Sequence, residues 1–540
     1  MRAAGPAVVR EGPFALTPAD REYLRRIGKP EVQLQSELAR LTSGVRPIRL
    51  LRPCAPGDGI RRMDPARAGS LAVLFEREAA RGRATKFVAA SGAGSRMFRA
   101  HLAYRGIADL ERRLRADAAK GSGAAAELLA FFEHLRDFPF VRELEEVLAR
   151  RGLGLDELLA RRALDSLLDA ILEDWGLGYA DIPKGLIPFH HYPDGARSAF
   201  EEHLLEAAGY LRDRSGRIRV HFTLRPRDAE RVRNHLEEAV RRYRGPDNRY
   251  LVSLSLQDAA SDTPALDEVG LPARRDGAPV LLRPAGHGAL LENLQAIDGD
   301  IVFVRTIDNV LPERAWAALS FHRKVLAGLL IETCEGISRA LARLERGASD
   351  RELLEIERRA GSELSLRWPA SMAEWPPELR ARYLRDRLDR PLRVCAMVGD
   401  VGETGGKPFW TVDAEGLESL QIVEAGQVDM GSATQRSLWD SAEYFNPADL
   451  VCSLRDRRGK PFDLSAFSDP EAFIVAEKYW DGRRIKVLEL PGLWNGAMAR
   501  WNTVFVEMPR EIVSPVKSVL DLLKAAHRPG AAPRAACEFD

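Results

Sequence analysis

The regular alternation of predicted helices and strands between residues 198 and 344 constrains the fold more than any other feature of this sequence. Hydrophobic periodicity predicts strands at 217–224, 250–256 and 300–306, and helices at 198–210, 228–243, 288–297 and 313–344. A strand, a helix and a further strand form a βαβ unit, in which the two strands are parallel. We therefore predict an α/β fold with a mixed, mostly parallel sheet, and we expect ligands at the carboxyl ends of its strands.

The remaining regions differ from this core in composition and periodicity. Residues rich in Ala, Leu, Glu and Arg predict helices before it, and short strands punctuated by Gly and Pro follow it. Thr17 and Pro18 predict the start of a first helix. The predicted regions are an N-terminal helical preface (1–80), an α/β core (81–345) with a helical insertion (100–180), a C-terminal β-rich α+β region (346–510), and a final helix at 514–526 with a tail (511–540).

The charge balance excludes some classes of protein. The chain of 540 residues carries 80 Lys and Arg against 79 Asp and Glu, a net charge of +1, whereas general nucleic-acid coats have a large positive excess. It has no apolar run of the length that a signal peptide or a membrane span needs. Its five cysteines form no CxxC pair, so they predict neither a zinc site nor a disulfide framework. We expect a cytoplasmic protein that binds neither nucleic acid nor membrane.

A glycine loop follows the short apolar run at 86–90. Glycine allows the backbone to approach a phosphate closely, and successive N–H groups then form an anion cradle. The Arg96 guanidinium could hold phosphate oxygens as a bidentate fork. The loop lacks the Gly-Lys-Ser/Thr of a Walker motif and the third Gly of a dinucleotide fingerprint, so a tight strand-to-helix turn is the alternative. The predicted loop residues are Ser91, Gly92, Ala93, Gly94 and Ser95.

Lys184 lies in a rigidly framed segment, between Pro183 and the pair Gly185 and Pro188. Only 11 of the 80 basic residues are lysines. Lysine is a compact point charge and arginine a planar fork, so the two are not interchangeable at a chemical site. The segment therefore predicts a lysine placed for a function, and a surface lysine in a turn is the alternative.

Two further segments combine polar groups with the ends of predicted elements. Gly286, His287 and Gly288 precede a predicted helix, and N–H groups at a helix N-terminus attract anions. Asp308 and Asn309 follow the strand at 300–306, where a carboxylate could hold a divalent cation. The alternatives are a helix cap with an incidental histidine, and an Asp or Asn that caps the next helix.

In combination and in this order, these motifs resemble those of nucleotidyltransferases with a Rossmann-like GT-A core, in particular the UDP-sugar pyrophosphorylases. The whole chain also resembles an uncharacterised bacterial family, domain of unknown function 4301, which carries this core with segments similar to 445–450 and 488–496. The segments that match the nucleotidyltransferase pattern are the loop at 89–97, the lysine segment at 183–188, the strand end at 253–257, the turn at 284–288, the pair at 308–309, and the Pro-Val-Lys at 515–517 before 521–523.

The resemblance implies a reaction in which a sugar 1-phosphate attacks the α-phosphorus of a nucleoside triphosphate, with UTP as the expected donor. UMP is transferred, pyrophosphate leaves and Mg²⁺ assists. The resemblance assigns Arg96 and the loop amides to the β- and γ-phosphates, Lys184 to the α-phosphate, Asp308 to Mg²⁺, Gln257 and Gly286 to the base, His287 and Gly288 to the nucleotide, and Lys517 to the product phosphates. The candidate sugar contacts are Asn309, Asn446, Glu489, Trp494 and Asn495. Glu489 and Asn495 flank a Pro-Gly turn, where polar groups suit hydroxyl recognition, and a structured β-turn is the alternative.

The sequence departs from the family pattern at two points. Arg96 and Lys184 are 88 residues apart, whereas about a dozen residues separate the two groups in the family, so the helical insertion must loop out and return. Ser91 replaces the first glycine of the loop. Two other functions stay open: a nucleotide or nucleotide-sugar binding protein without turnover, and a GT-A glycosyltransferase. The latter typically holds its metal with Asp-x-Asp, which is missing after the strand at 300–306.

Overall fold

A computed structural model describes residues 14–402, 405–413 and 415–528. Its strands are β1 (Arg49–Pro53), β2 (Ala55–Pro56), β3 (Gly59–Arg61), β4 (Ala84–Ala89), β5 (Pro188–Tyr192), β6 (Gly195–Ser198), β7 (Arg217–Leu224), β8 (Arg249–Leu256), β9 (Thr263–Leu266), β10 (Leu282–Arg283), β11 (Ile301–Thr306), β12 (Leu392–Gly399), β13 (Lys407–Val412), β14 (Glu418–Val423), β15 (Tyr444–Phe445), β16 (Leu450–Ser453), β17 (Ile474–Trp480), β18 (Arg483–Glu489) and β19 (Asn502–Glu507).

Helices lie between most of these strands. They are α1 (Pro18–Ile27), α2 (Glu31–Ser43), α3 (Pro65–Ala79), α4 (Arg99–Ala103), α5 (Leu110–Ala119), α6 (Gly123–Glu133), α7 (Val141–Ala149), α8 (Leu155–Ala160), α9 (Leu164–Leu172), α10 (Ala199–Leu211), α11 (Ala229–Tyr243), α12 (Leu291–Gln295), α13 (Trp316–Glu345), α14 (Asp350–Glu363), α15 (Pro377–Leu388) and α16 (Ala433–Asp440). Within the described ranges, no helix has the length and apolar content needed to span a bilayer.

A ten-stranded sheet forms the centre of the molecule. Its order is β2-β3-β19-β12-β16-β11-β4-β7-β8, and β15 pairs with β12. Neighbouring strands are parallel except at β16, which is antiparallel to β11 and β12, and at β15. The predicted α/β fold with a mixed, mostly parallel sheet is therefore confirmed. Because β4, β7, β8 and β11 are parallel neighbours, their carboxyl ends lie at one edge of the sheet.

Both faces of the central sheet are covered. Phe303 of β11 packs against Phe75 of α3, with ring centroids 5.5 Å apart, whereas Val302 and Val304 belong to a core on the opposite face together with Phe87 of β4. All five side chains are fully buried. Strands covered on both faces are expected to be apolar throughout, because neither set of alternating side chains meets water.

The elements of the alternating region lie where the sequence predicts them. This holds for β7, β8 and β11 and for the long helices α10, α11 and α13. The predicted first helix is also present: the Thr17 hydroxyl accepts the N–H of Asp20, and the Asp20 carboxylate accepts the N–H of Thr17. This reciprocal pair is a capping box. The helical insertion is observed as α4 to α9.

Differences from the prediction concentrate outside that region. Helices α14 and α15 were not predicted, although Ser349 and Glu352 form a capping box and Leu353, Ile356 and Ala360 are buried at helical spacing. Strands β12, β16 and β19 enter the central sheet rather than forming a sheet of their own. Such pairings join residues far apart in sequence, which a local hydrophobic pattern does not specify.

The two ends of the chain also differ from the predicted helical character. The region predicted as a helical preface contains β1 and β3, which pair with β13 and β19. The predicted helix at 514–526 is instead an extended segment with one 3₁₀ turn, Val519–Leu523. The N–H of Val516 bonds to the Asp308 carbonyl, 3.0 Å away, which holds the segment extended against the sheet. Residues 1–13 of the preface and 529–540 of the tail lie outside the described residues.

Candidate functional site

Asp308 lies just beyond the carboxyl end of β11, in a turn fixed by its neighbour. The Asn309 side chain donates to the Pro447 carbonyl at 3.2 Å and accepts the N–H of Ser514 at 3.3 Å. Arg305 donates to the Asn309 carbonyl at 2.8 Å. These bonds hold the Asp308 carboxylate at the predicted ligand edge of the sheet.

Two lysines from distant segments meet this carboxylate. The Nζ atoms of Lys184 and Lys517 each lie 3.1 Å from Oδ2 of Asp308. The Lys184 side chain is 8% exposed and also donates to the Val516 carbonyl, whereas the Lys517 side chain is 47% exposed. The other carboxylate oxygen, Oδ1 of Asp308, is buried and has no hydrogen-bond partner within the described residues. Two cations therefore share one carboxylate.

The pKa values follow from this arrangement. Burial alone would raise the pKa of Asp308, but the charges of Lys184 and Lys517 outweigh burial and hold it well below its ordinary value. Burial, together with the charges of Lys517 and Arg96, lowers the pKa of Lys184 against the opposing effect of Asp308. Arg96 thus belongs electrostatically to the same cluster. The site has an excess of positive charge, which suits an anionic ligand.

The glycine loop and the lysine segment bond to each other through their backbones. The N–H of Gly94 donates to the Ile182 carbonyl at 3.0 Å, and the N–H of Lys184 donates to the Gly92 carbonyl at 3.1 Å. The chain therefore leaves β4, forms the helical insertion and returns to its starting point, as the 88-residue gap between Arg96 and Lys184 requires.

The two glycines of the loop differ in the space available for a side chain. A Cβ on Gly94 would lie 2.8 Å from the Ile182 carbonyl oxygen, so the returning segment itself excludes a side chain there. A Cβ on Gly92 would meet no atom within 4 Å. Gly92 therefore faces open space, and Arg96 is exposed beside it, while Ser91, Ala93 and Ser95 are partly exposed. The side of the loop that is open to a ligand is the side of Gly92.

His287 is held in one orientation at the second predicted turn. Its Nδ1 accepts the N–H of Leu493 at 2.8 Å, so the neutral ring carries its proton on Nε2. Nε2 faces the Glu424 carboxylate at 3.5 Å. The Trp494 ring stacks on the imidazole, with centroids 4.0 Å apart and planes at 7°. The preceding Gly286 has a φ of 79°, the left-handed conformation that favours glycine.

Glu424 is the polar residue of this region that sequence reasoning missed. It follows β14 and accepts a hydrogen bond from the Asn495 amide. Burial would raise its pKa, but the hydrogen bonds from His287 and Asn495 and the charge of Lys517 keep it below the ordinary value. No pattern in the sequence signals Glu424, because its partners come from segments about 70 and 140 residues away.

The remaining predicted residues divide into two groups. Gln257 follows β8, and Glu489 ends β18, where its carboxylate lies 2.6 Å from Lys478 and beside Gly286. Asn446, by contrast, is buried, donates to the Ala396 carbonyl and accepts the N–H of Ala448. Asn309 is also buried, and its side chain likewise bonds to two backbone groups. The predicted sugar contacts of these two asparagines need correction, because backbone groups already occupy their polar atoms.

The sequence profile of one protein family matches residues 17–528, nearly the whole chain. The chain belongs to this family, Domain of unknown function (DUF4301). We found no curated protein whose sequence matches the chain.

The solved structures that resemble the chain include proteins from Trypanosoma brucei and Leishmania major. They include the uridine diphosphate N-acetylglucosamine pyrophosphorylase from Trypanosoma brucei with an inhibitor, at 12% identity and a TM-score of 0.47 over 94% of this chain and 79% of that chain. The UDP-glucose pyrophosphorylase from Leishmania major, in open and closed structures, has 13% identity and a TM-score of 0.40 over 94% and 79%. The UDP-glucose phosphorylase from Trypanosoma brucei has 12% identity and a TM-score of 0.43 over 94% and 78%. Because these TM-scores lie below 0.5, conclusions about function rest on the residues of this chain.

The donor set fits a magnesium ion that is completed by a substrate. Within the described ranges, no group of three or more His, Cys, Asp or Glu side chains could hold a metal ion by itself. Mg²⁺ is usually bound through one or two carboxylates together with substrate phosphates and water. The buried, unpartnered Oδ1 of Asp308 supplies one such oxygen.

Proposed function

We propose that this protein transfers UMP from UTP to a sugar 1-phosphate and releases pyrophosphate, with Mg²⁺ as cofactor. The convergence of Lys184 and Lys517 on Asp308, beside the glycine loop and at the carboxyl edge of the sheet, carries the proposal. Both lysines belong to segments that resemble the lysine motifs of UDP-sugar pyrophosphorylases. Two cations on one carboxylate leave a positive charge that a phosphate would neutralise.

The reaction needs positioning and charge neutralisation more than acid–base catalysis. An oxygen of the sugar phosphate forms a bond to the α-phosphorus, and the bond from that phosphorus to the bridging oxygen of the β-phosphate breaks. The electron pair leaves with pyrophosphate. A phosphate monoester has a second pKa of about 6 and is already ionised at pH 7, so it needs no general base. Fixed cations that meet the developing charge then supply most of the rate enhancement.

The chain's own residues take the following parts. The backbone of the loop around Gly92, with Arg96, binds the β- and γ-phosphates. Lys184 binds the α-phosphate as a point charge, and Lys517 binds the phosphates of the product. Because Asp308 holds both lysines at 3.1 Å, their ammonium groups are already placed before a nucleotide arrives.

Asp308 would hold the magnesium ion through Oδ1, the oxygen that has no hydrogen-bond partner within the described residues. When bound, Mg²⁺ supplies additional neutralisation of the phosphate charge. The other oxygen, Oδ2, keeps its contacts with Lys184 and Lys517. The two oxygens of one carboxylate can therefore serve the metal and the lysines at the same time.

Recognition of the base and the sugar falls to the surrounding turns. We assign Gln257 and Gly286 to the base, and His287, which follows Gly286 in the chain, adds an imidazole in a fixed orientation. Glu489, Trp494 and Asn495 remain the proposed sugar contacts. Glu424 joins this group because its carboxylate lies between His287 and Asn495.

The experiment that tests the proposal measures pyrophosphate release from UTP and Mg²⁺ with a panel of sugar 1-phosphates. We expect release with at least one sugar. Lys184→Ala and Asp308→Ala should each lower the rate by at least about a hundredfold, the size of effect seen when one preorganised charge contact is lost. Lys120→Ala, an exposed lysine of the insertion, is the matched control and should keep the wild-type rate.

Titration calorimetry with UTP separates this proposal from its alternatives. Binding of UTP without pyrophosphate release on the whole panel would support a nucleotide-binding protein without turnover. Transfer of a sugar from a UDP-sugar to an acceptor would support a glycosyltransferase. If the protein neither binds UTP nor releases pyrophosphate, while circular dichroism shows that it is folded, the proposed function is rejected.

A further inference from the structure

A large cavity lies at the opposite edge of the sheet from Asp308. It has a volume of about 980 Å³ and opens at the amino ends of β12 and β19. These strands run parallel to β11, which places the cavity far from the carboxyl ends. The hairpin β13–β14, the end of α15 and the turn at 499–501 form its walls.

Five arginines line this cavity: Arg46 lies 3.6 Å from Glu471 and Arg49 is exposed, while the other three form one cluster. These three are Arg387, Arg390 and Arg500. Throughout the described part of the chain, none of the three has a carboxylate oxygen within 4.0 Å. Arg390 instead donates to the carbonyls of Asp386 and Arg500, at 2.8 and 3.2 Å. Burial, together with the charges of Arg387 and Arg500, lowers the pKa of Arg390 to about 10. The three side chains thus form a cluster of positive charge that no described carboxylate contacts directly.

None of the five acidic side chains that line the same cavity lies within 4.0 Å of this cluster. Glu415 is exposed. The other four already have partners: Glu418 lies 3.4 Å from Arg52, Glu471 lies 3.6 Å from Arg46, and Asp413 and Asp469 accept backbone N–H groups of their own turns at 2.8 and 3.0 Å.

Buried hydrogen-bond donors without acceptors surround the cavity. Nε of Arg387 and Nε1 of Trp501 belong to lining residues and have no partner within the described residues. Behind the wall, Arg393 is fully buried, donates through Nε to the Thr503 hydroxyl at 2.9 Å, and has an unpartnered terminal nitrogen. Thr503 itself lines the cavity. Unsatisfied buried donors are rare in folded proteins, so these residues concentrate unused hydrogen-bonding capacity around the cavity.

We propose that this cavity binds a small phosphorylated metabolite at a site separate from the nucleotide site. Guanidinium groups present paired N–H donors that match phosphate oxygens bidentately, which explains three arginines in one place. A cavity of about 980 Å³ accommodates a ligand of metabolite size. This inference does not rest on the proposed nucleotidyl transfer, because no residue of the cavity belongs to the Asp308 cluster.

The cavity and the nucleotide edge share one segment of chain. Gly496 and Ala499 line the cavity, while the preceding Trp494 stacks on His287. Arg393 donates to the Trp494 carbonyl at 2.6 Å and so ties this segment to the cavity wall. Residues 494–499 therefore connect the wall of the cavity with the nucleotide edge.

The test measures the stabilisation of the full chain by two probes, inorganic phosphate and fructose 1,6-bisphosphate, in thermal denaturation at fixed ionic strength. A ligand that binds the folded state raises the melting temperature with concentration, which yields a dissociation constant. We expect the bisphosphate to bind more tightly than phosphate. Arg500→Gln and Arg387→Gln should each weaken its binding at least about tenfold, because each removes a charge-assisted contact. Arg500 is exposed, so its replacement leaves the core intact.

Two control variants locate the binding site. Arg385→Gln removes an exposed arginine of α15 outside the cavity and should keep the wild-type affinity. Lys120→Ala, which replaces an exposed lysine of the insertion, should keep it as well. Absence of binding by both probes, unchanged affinity in the two cavity variants, or an equal loss of affinity in the two control variants would each overturn the proposal. The measurement uses no UTP and no turnover, so its outcome is independent of the proposed function.

Discussion

Asp308 is the residue on which the electrostatics of the candidate site depend. One of its oxygens serves two lysines, and the other is buried with no partner within the described residues. Without the carboxylate, Lys184 would be a buried cation whose remaining bond goes to a backbone carbonyl. The same side chain thus contributes to the stability of the fold and to the proposed binding of magnesium.

We expect Asp308→Asn to lower the free energy of unfolding by about 3 kcal/mol, because it leaves the Lys184 ammonium buried and uncompensated. Urea denaturation at pH 7 measures the change. Lys517→Gln is the matched control and should cost less than about 1 kcal/mol, since an exposed ion pair contributes little. Equal losses in both variants would contradict this account.

The stabilisation by Asp308 should also depend on pH. Its pKa is depressed in the folded protein relative to the ordinary 3.8, so its contribution is present above that value and is lost as the pH falls through the folded pKa. The difference between wild type and Asp308→Asn should therefore stay constant from pH 8 to pH 5 and shrink below about pH 4. A difference that shrinks already between pH 8 and pH 6 would exclude Asp308 as its origin.

At the scale of elements, a buried charge network joins the central strands to α10 and α13. Lys86 of β4 and Arg323 of α13 both bond to the Glu206 carboxylate of α10, and Arg305 of β11 pairs with Asp449. The network holds three cations and two anions in the core. Burial, with Arg323 and Arg305, lowers the pKa of Lys86 to about 7 against the effect of Glu206. The network therefore has fewer anions than cations.

The charge balance predicts that two neighbouring substitutions change the free energy of unfolding by very different amounts. Glu206→Gln should lower the free energy of unfolding by about 3–5 kcal/mol, because it leaves three buried cations with one anion. Lys86→Met should change it by less than about 1 kcal/mol, because an apolar side chain of similar length leaves two cations and two anions. Urea denaturation of both variants gives the comparison. A larger loss for Lys86→Met than for Glu206→Gln would refute the predicted balance.

A pair of buried histidines fastens the C-terminal segment to β5. Nε2 of His527 contacts the Ser514 carbonyl at 3.0 Å, and a carbonyl can only accept, so this nitrogen carries a proton. His527 Nδ1 then accepts from His190 Nε2 at 2.8 Å, and His190 Nδ1 accepts from Glu202 at 2.9 Å. This order requires a protonated Glu202, and burial raises the pKa of that carboxyl well above its ordinary value.

Acid should therefore loosen the C-terminal segment. Burial lowers the pKa of His190 and His527 from the ordinary 6.5 to about 3. Between these values the unfolded chain takes up two protons that the folded pair does not, so stability falls as the pH decreases. Glu202 offsets one of them. Hydrogen exchange of residues 510–528, corrected for the intrinsic rate, should lose protection between pH 7 and pH 5.

His527→Gln is the variant for this measurement, because it removes one titrating group from the pair. We expect its segment to be less protected than the wild type at pH 7 and to respond less to acid. His134→Gln, which replaces an exposed histidine of the insertion, should respond as the wild type does. Equal protection of the wild-type segment at pH 7 and pH 5 would contradict the role of the pair.

At the scale of the whole molecule, the C-terminal segment connects parts that are far apart in sequence. The N–H of Val516 bonds to the Asp308 carbonyl at 3.0 Å, and the N–H of Val519 bonds to the Met97 carbonyl at 3.3 Å. The 3₁₀ turn Val519–Leu523 also packs on α6 of the insertion. One segment thus holds the β11 turn, the glycine loop and the insertion together.

A chain that ends at residue 509 should consequently be less stable, also in parts of the molecule that the truncation does not remove. We expect a lower urea midpoint and faster proteolysis within the insertion, since the truncation uncovers the surface of α6 that Val519 and Leu522 bury. A chain that ends at residue 528 keeps the bonds of Val516 and Val519 and the packing on α6, and serves as the control. Limited proteolysis with mass spectrometry locates the cleavage sites. An insertion as resistant in the 509-residue chain as in the control would rule out this role.

Local pattern was sufficient to predict the α/β class, the positions of β4, β7, β8 and β11, and the motif residues Lys184 and Asp308 as candidates. These depend on periodicities and turn residues within some twenty positions of each other, where backbone geometry follows from neighbouring side chains. The sequence also predicted that the chain returns to the glycine loop after the insertion, because the loop and the lysine segment lie on either side of the insertion and were expected at one site.

Tertiary structure alone decided which polar groups share a site. Glu424 meets His287 and Asn495 only because β14 and two loops pack together, and the Asn446 amide donates to the carbonyl of Ala396, which comes from β12. The arginine cavity joins α15 to the turn before β19, more than 100 residues later. Hydrogen bonds and charges act over a few ångströms regardless of separation along the chain, so a sequence can indicate the chemistry of a residue, but only packing determines its partners.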